Sequence, residues 1–328
     1  MLNKKLLLAG LIMLGFTACN NDEDCGCDPA PANLVEAQVM GNINVKNSRV
    51  NGNLWTYDNI GIMVLDAPSS DMATVYKNVG YTTESNSTSA IFLPITQKDA
   101  IFFKKDNEIV TFAAYAPYIK TDPTVLPGNN GVLSVDTRSK NNNDDGQTSI
   151  NYLYASGVKA SKQDPIVSFS GEHAFKHCMS KMVITFRASI ADGFTGDEIF
   201  LSTSRYQLGG LKLDGKFDVT SGVVTATGAI VPDWDFTNCI HINSPIEKER
   251  TYTMLLLPQE NGAGSKMTVS ITVNNQTYKN DKIITANLKP GMAYHYTIIL
   301  KKNGLEVSGS TIDDWVDVDN KEGGAISE

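Results

Sequence analysis

Lys266–Tyr278 reads KMTVSITVNNQTY. Met267, Val269, Ile271 and Val273 alternate with Thr268, Ser270, Thr272 and Asn274, the period of two that gives a strand one buried and one wet face. Asn274-Asn275 tolerates the positive φ of a tight turn, so the chain should fold back into Thr277-Tyr278. The same pattern recurs in both directions from this hairpin. Ile60–Val64, Ile91–Ile95, Ile109–Tyr115, Met182–Phe186, Met254–Leu257 and Tyr294–Leu300 are short runs rich in Val, Ile, Thr and Tyr, bounded by Gly, Asn, Asp and Pro. No long segment carries helical periodicity. The expectation is an all-β chain built from sandwiches.

The chain has 328 residues, a formal charge of −8 and a pI near 5.1. That length suits two domains of ordinary size or one large all-β domain. The acidic balance and the lack of a basic cluster argue against nucleic acid as a partner. A polar stretch ending in Asp-Pro, Ala160–Pro165, is the expected break between an N-terminal domain over 34–164 and a C-terminal domain over 165–328. Asp136–Ser149, DTRSKNNNDDGQTS, is polar and is expected to be an exposed loop of the first domain.

The first residues follow a different logic. Lys4 and Lys5 precede an apolar run from Leu6 to Phe16, then the small residues Thr17 and Ala18 lead to Cys19. This is the layout of a secretory signal over residues 1–18, too short for the roughly 20 residues of a membrane-spanning helix. Its junction resembles a lipobox, which would make Cys19 the lipid attachment point, although Phe16 stands where Leu is usual. Several acyl chains on one residue, each contributing ~0.8 kcal/mol per buried methylene, hold a protein on a membrane stably. Asn20–Asp24 opens an acidic tether over 19–33 that cannot bury enough apolar surface to order itself. Acid immediately behind such a cysteine resembles the signal for the outer face of the outer membrane.

A search for chemistry finds little. His173 and His177 have zincin spacing, but Ala174 stands where the catalytic Glu would be, and the segment runs into the strand KMVITF. Asn141, Asn143, Asp145 and Gly146 match the start of a calcium loop, yet position twelve is Tyr152 and the bidentate Glu is missing. Cys25 and Cys27 lie in the tether; Cys178 and Cys239 read as two buried free thiols, with a mutual bridge as the alternative. No nucleophile elbow, phosphate loop or dinucleotide fingerprint occurs. Neither an enzyme nor a cofactor or metal is expected.

Several blocks, in order, resemble the fimbrillin family, the pilins and accessory lipoproteins of Bacteroidota type V pili. They are WTYDNIGIMVL (Trp55–Leu65), VTFAAYAPY (Val110–Tyr118), INYLYASG (Ile150–Gly157) and FKHCMSKMVITF (Phe175–Phe186). YTMLLLPQ (Tyr252–Gln259), LKPGMAYHYTIIL (Leu288–Leu300) and STIDDW (Ser310–Trp315) complete the series. Within them Trp55, Tyr115, Tyr118 and Trp315 are large anchors with polar tips that want partners.

The resemblance implies two transthyretin-like sandwich domains in tandem, export as an outer-membrane lipoprotein, and a structural or adhesive role as stalk, tip or anchor. Its implied partners are other pilus subunits, the outer membrane through lipid on Cys19, a processing protease, and a host or bacterial surface ligand. Subunits of this family assemble by strand exchange after the protease trims the N-terminal region behind Arg or Lys. Lys46 and Arg49, in NVKNSRVNG, follow the expected first strand Val35–Val45 and are the candidate processing positions, Arg49 preferred. The competing reading is a surface lipoprotein that binds host or dietary glycans or proteins without polymerising.

Overall fold

The Lys266–Tyr278 hairpin folds as expected in the computed structural model, which describes residues 34–43, 59–83, 89–262 and 264–315. Lys266–Val273 pairs antiparallel with Gln276–Thr285, with Val273 opposite Gln276 across the two-residue turn. Asn274 and Asn275 take φ values of 50° and 62°, the left-handed pair that matches the twist of the flanking strands. Met267, Val269, Ile271 and Val273 are all buried. Ser270 departs from the alternation: it is buried too, its hydroxyl donating to the Gln207 carboxamide of the neighbouring strand. Strand is the dominant element of the described chain, and its two α-helices, Met72–Val75 and Gln147–Ile150, are single turns.

The first half is built mainly on one sheet of eight strands. Their order is Ile166–Phe169, Gln38–Asn42, Ser89–Pro94, Val79–Thr82, Asn59–Asp66, Val110–Ala116, Leu153–Ala160 and Lys176–His177. The sheet curls until Ile166–Phe169 packs beside Leu153–Ala160, which lets one face enclose Ile60, Ile62, Phe92, Phe103, Phe112, Phe169 and Phe175. Val110–Ala116 ends at a cis Ala116–Pro117 bond, where the absent proline N–H costs the ladder nothing.

The second half stacks two sheets around Phe186, Tyr206, Phe236 and Tyr252. One carries His241–Ser244, Glu249–Leu256, Ser180–Ala188, Met292–Lys301 and Gly304–Asp314; the other Trp234–Asp235, Arg205–Gly209, Lys266–Val273 and Gln276–Thr285. Edge-to-face rings, such as Phe236 on Tyr252 at 4.9 Å and 87°, fill the space between them.

The chain changes sheets between His177 and Ser180. The polar Ala160–Pro165 stretch is a turn inside the first sheet, closed by Ser161 N–H on the Asp164 carbonyl at 2.9 Å, and Ile166–Phe169 returns to pair with Gln38–Asn42. The halves share structure as well. Val132–Asp136 pairs with Asp214–Asp218 from the second half, and a third core joins Met63, Tyr115, Tyr152, Met179, Phe217, Leu255 and Trp315. Tyr152 stacks on Phe217 at 4.3 Å. The described residues from Leu34 on form one compact unit.

The Asp136–Ser149 segment, expected to be an exposed loop, is exposed only in part. Asn142 is 0% exposed, and its carboxamide acts as a short piece of strand against Leu255: Oδ1 accepts from the Leu255 N–H at 2.6 Å and Nδ2 donates to the Leu255 carbonyl at 3.0 Å. Gln147 Nε2 reaches the Thr253 carbonyl at 2.8 Å, so the segment covers the edge of Glu249–Leu256. Polar residues here serve both ends: Thr137 and Asn142 are buried, whereas Lys140, Asp144, Asp145, Thr148 and Ser149 are exposed. Asn142→Ala would leave two buried backbone groups of Leu255 without that partner, at about 1–3 kcal/mol per group. We expect the urea midpoint to fall by an amount equivalent to about 2–4 kcal/mol, with the unfolding slope unchanged; a shift below 0.5 kcal/mol would show that the clamp contributes little.

Candidate functional site at the first strand

The first strand occupies an unusual place for a terminal segment. Gln38–Asn42 lies inside the eight-stranded sheet, antiparallel to Ser89–Pro94 on one side and parallel to Ile166–Phe169 on the other. Over its described residues the expected strand Val35–Val45 is broken. Val35–Glu36 pairs with Phe102–Phe103, Ala37 interrupts, and Gln38–Asn42 follows, with Ile43 making one parallel bridge to Phe175. Ala37 N–H donates to the Ile101 carbonyl at 2.9 Å and Gln38 N–H to the Pro165 carbonyl at 2.8 Å, which fixes the entry of the strand between its neighbours.

Its side chains alternate strictly. Ala37, Val39, Gly41 and Ile43 are buried in the first core, whereas Gln38 is exposed and Met40 and Asn42 are half-buried. Val39 and Ile43 face the core; Leu34 and Val35 are only half-buried, and Val45 lies outside the described residues. Around the strand stand Phe92, Phe169 and Phe175, all but fully buried, with Phe169 and Phe175 tilted at 53° and 5.5 Å apart. On the outer face Ile91 and Leu93 of the adjacent strand are 68% and 65% exposed, and Ile166 on the other side is 44% exposed. This strand therefore sits between an aromatic core and an aliphatic outer surface, and only its C-terminal end leads onward into the fold.

Cys19, Lys46, Arg49 and Trp55 lie outside the described residues. The other sequence candidates are placed apart. His173 Nδ1 donates to the Ser156 carbonyl at 2.9 Å, while His177 donates to Asn151 Oδ1 at 3.0 Å and stacks on Trp315 at 3.8 Å and 8°. The two histidines serve different neighbours. Among the described residues no three His, Cys, Asp or Glu side chains converge on a metal-sized point. Asn141 Nδ2 donates to the Asp136 carbonyl and Asn143 Oδ1 accepts from Gly146 N–H, so two of the three would-be calcium ligands close local turns. Cys178 and Cys239 are free and buried, and burial pushes both thiols up to about 12, where they stay protonated and unreactive.

Sequence reasoning missed three glycines that the site and its surroundings need for room. A Cβ on Gly41 would lie 3.0 Å from a Phe175 ring carbon, one on Gly61 2.3 Å from the Tyr115 ring, and one on Gly80 2.6 Å from the Tyr118 ring. None of the three has a positive φ. The only sequence signal was the Ile60-Gly61-Ile62 pattern, where a glycine interrupts an otherwise apolar strand.

Comparison with known proteins agrees with this architecture. The fimbrillin-like family matches residues 48–315, a span that opens after the first strand. A candidate fimbrium subunit of Bacteroides uniformis, Fim1C, is 26% identical over 321 residues, covering 96% of each chain. A crystal structure of a candidate cell-adhesion protein from Bacteroides ovatus superposes with a TM-score of 0.69 at 27% identity, covering 87% of this chain and 99% of that one. One from Bacteroides uniformis, at 23% identity and a TM-score of 0.64 over 88% of this chain and 100% of that one, shares the fold. A span of more than three-quarters of the sequence, over strands that build both halves of the fold, is matched, and the chain belongs to the fimbrillin-like family.

Proposed function

We propose that this chain is a structural or adhesive subunit of a surface pilus, made as a lipoprotein on Cys19 and assembled by strand exchange. The observation that carries the reading is the first strand. It completes the interior of a sheet, yet a cut between Ile43 and Asn59 would leave it attached by non-covalent contacts alone. Removing it would expose the edges of Ser89–Pro94 and Ile166–Phe169 and the rings of Phe92, Phe169 and Phe175 between them. Open edges of this kind are the acceptors of β-augmentation. Arg49, or failing it Lys46, is where we place the cut, and the strand supplied by a second subunit is the replacement. We place the two sandwich domains on either side of the sheet change near Cys178, held together by the third core. In this reading the tether over 19–33 holds the chain at the outer membrane, facing outward.

The non-polymerising reading would be favoured by a row of exposed aromatic rings on one sheet. Among the described residues every exposed large apolar side chain is aliphatic.

The anchoring half of the proposal has a direct test. Cys19→Ser, expressed in a Bacteroides host and fractionated, should accumulate as unprocessed precursor and lose detergent-dependent membrane association. A variant that is processed and stays membrane-bound would refute lipidation at Cys19. The assembly half is tested by controlled cleavage, taken up in the Discussion.

A further inference from the structure

The seat of the first strand has a shape that selects what can replace it. We infer that the incoming strand must carry glycine at the position that takes over from Gly41, flanked two residues before by an aliphatic and two residues after by a β-branched side chain. This rests on the strand-exchange reading and specifies its partner.

Gly41 lies in a thinly filled layer of the core. Its register partners are Ala90 in Ser89–Pro94 and Phe169 in Ile166–Phe169. Two of the three inward positions across this layer therefore carry a hydrogen and a methyl group. The space they leave is filled by rings that lean in: Phe175 brings Cε2 to 3.0 Å and Phe92 brings Cε2 to 3.4 Å of the point where a Cβ on residue 41 would stand. Phe175 is 0% exposed and backed by Phe169, so it has little room to swing away. A methyl group needs the ring to give by a few tenths of an ångström, and a branched side chain needs it to leave its place. Overfilling a packed core in this way is destabilising.

Backbone geometry does not require the glycine. Gly41 has no positive φ and lies within a regular ladder. On propensity alone valine would be the better strand residue at this position. The requirement is steric, and it sits on the seat rather than on the strand, so it applies to whichever strand occupies the seat. The neighbours on the same face define the rest of the pattern: Val39 is 3% and Ile43 is 5% exposed, each filling a space that a smaller side chain would leave as a void. Met40, between them on the outer face, is half-buried and free to vary.

The test uses the full chain beginning at Asn20, with a sequence for a site-specific protease inserted after Arg49. After cutting, fluorescently labelled ten-residue peptides with the sequence of Leu34–Ile43 are added in excess, with a mild urea pulse and dilution to release the resident strand. Three peptides are compared: unchanged, Gly41→Val and Met40→Val. Incorporation is read by fluorescence anisotropy and by comigration on size exclusion. The unchanged and Met40→Val peptides should incorporate within about threefold of each other, and the Gly41→Val peptide at least tenfold less. In the cut chain carrying Phe175→Leu, which must still take up the unchanged peptide, the Gly41→Val peptide should recover at least half of that deficit on a logarithmic scale.

Equal incorporation of the Gly41→Val and unchanged peptides would overturn the glycine requirement while leaving strand exchange intact. A deficit that Phe175→Leu does not relieve would also overturn it, because the ring would then not be its cause. Failure of the unchanged peptide to enter at all would remove the strand-exchange reading, and with it the inference.

Discussion

Gly61→Val is expected to prevent accumulation of soluble, folded protein, and Gly61→Ala to lower stability by about 3 kcal/mol, at the upper end of the usual cost of overpacking a core. The cause is one ring. A Cβ on Gly61 would stand 2.3 Å from Tyr115 Cε1, 2.7 Å from its Cζ and 2.9 Å from Asn78 Oδ1. Tyr115 cannot step aside. It is 0% exposed, its hydroxyl donates to Asn78 Oδ1 at 2.9 Å and accepts from the Ile119 N–H at 3.3 Å, and Asn78 in turn donates to the Ile119 carbonyl. Moving the ring breaks this network in a site where burial already pushes the Tyr115 phenol well above its ordinary pKa. With a whole-domain stability of about 5–15 kcal/mol, a loss beyond 3 kcal/mol from Gly61→Val reaches the threshold of folding in the cell. The check is a double-mutant cycle in urea. Gly61→Ala combined with Tyr115→Leu should cost less than the sum of the two, because the shortened side chain vacates the contested space. Strict additivity would mean that the glycine is needed for another reason.

The same pair shows what the sequence could and could not reveal. IGIMVL and FAAYAPY were legible as strands from alternation and residue type, and the family resemblance rested on both. What joins them is the register that places Gly61 opposite Tyr115, a relation between residues more than fifty positions apart that no local pattern encodes. The hairpin at Lys266–Tyr278 was readable, apart from the buried Ser270, because its instruction is local: four apolar positions at period two and a turn whose residues accept positive φ. Asn142 was misread for the opposite reason. Its partner Leu255 lies 113 residues away, and an asparagine that mimics a strand edge has the composition of a loop. Ala160–Pro165 forms a turn closed by Ser161 on Asp164, with only Gln163 and Asp164 exposed. The seat of the first strand was legible only in part. Its aliphatics suggested a buried face, but the parallel pairing with Ile166–Phe169 and the rings that crowd Gly41 belong to distant segments.

Cleavage after Arg49 is expected to convert a stable monomer into a protein that forms concentration-dependent ladders. Before cutting, the strand is tethered to the rest of the fold through its C-terminal end and its effective concentration at its own seat is high, so a second subunit cannot compete. After cutting, the strand is held only by what it buries and bonds. Val39 and Ile43 contribute roughly 1.5–3 kcal/mol each, and the ladder bonds to its two neighbours about 0.5–1.5 kcal/mol apiece. These terms keep the seat filled most of the time, so exchange should be slow and should proceed faster when a competing strand begins to pair as the old one frays. A released seat presents two unpaired edges and three aromatic rings, a surface that a monomer in water does not keep open. The measurement starts from purified chain beginning at Asn20, cut with trypsin and followed on size exclusion and unheated gels over a range of protein concentrations. Ladders that lengthen with concentration, and that an excess of free Leu34–Ile43 peptide suppresses, are the expected outcome. A clean cut at Arg49 that leaves a monomer stable for days would count against a stalk role, and would favour an anchor or tip that keeps its own strand, or a binder that never polymerises.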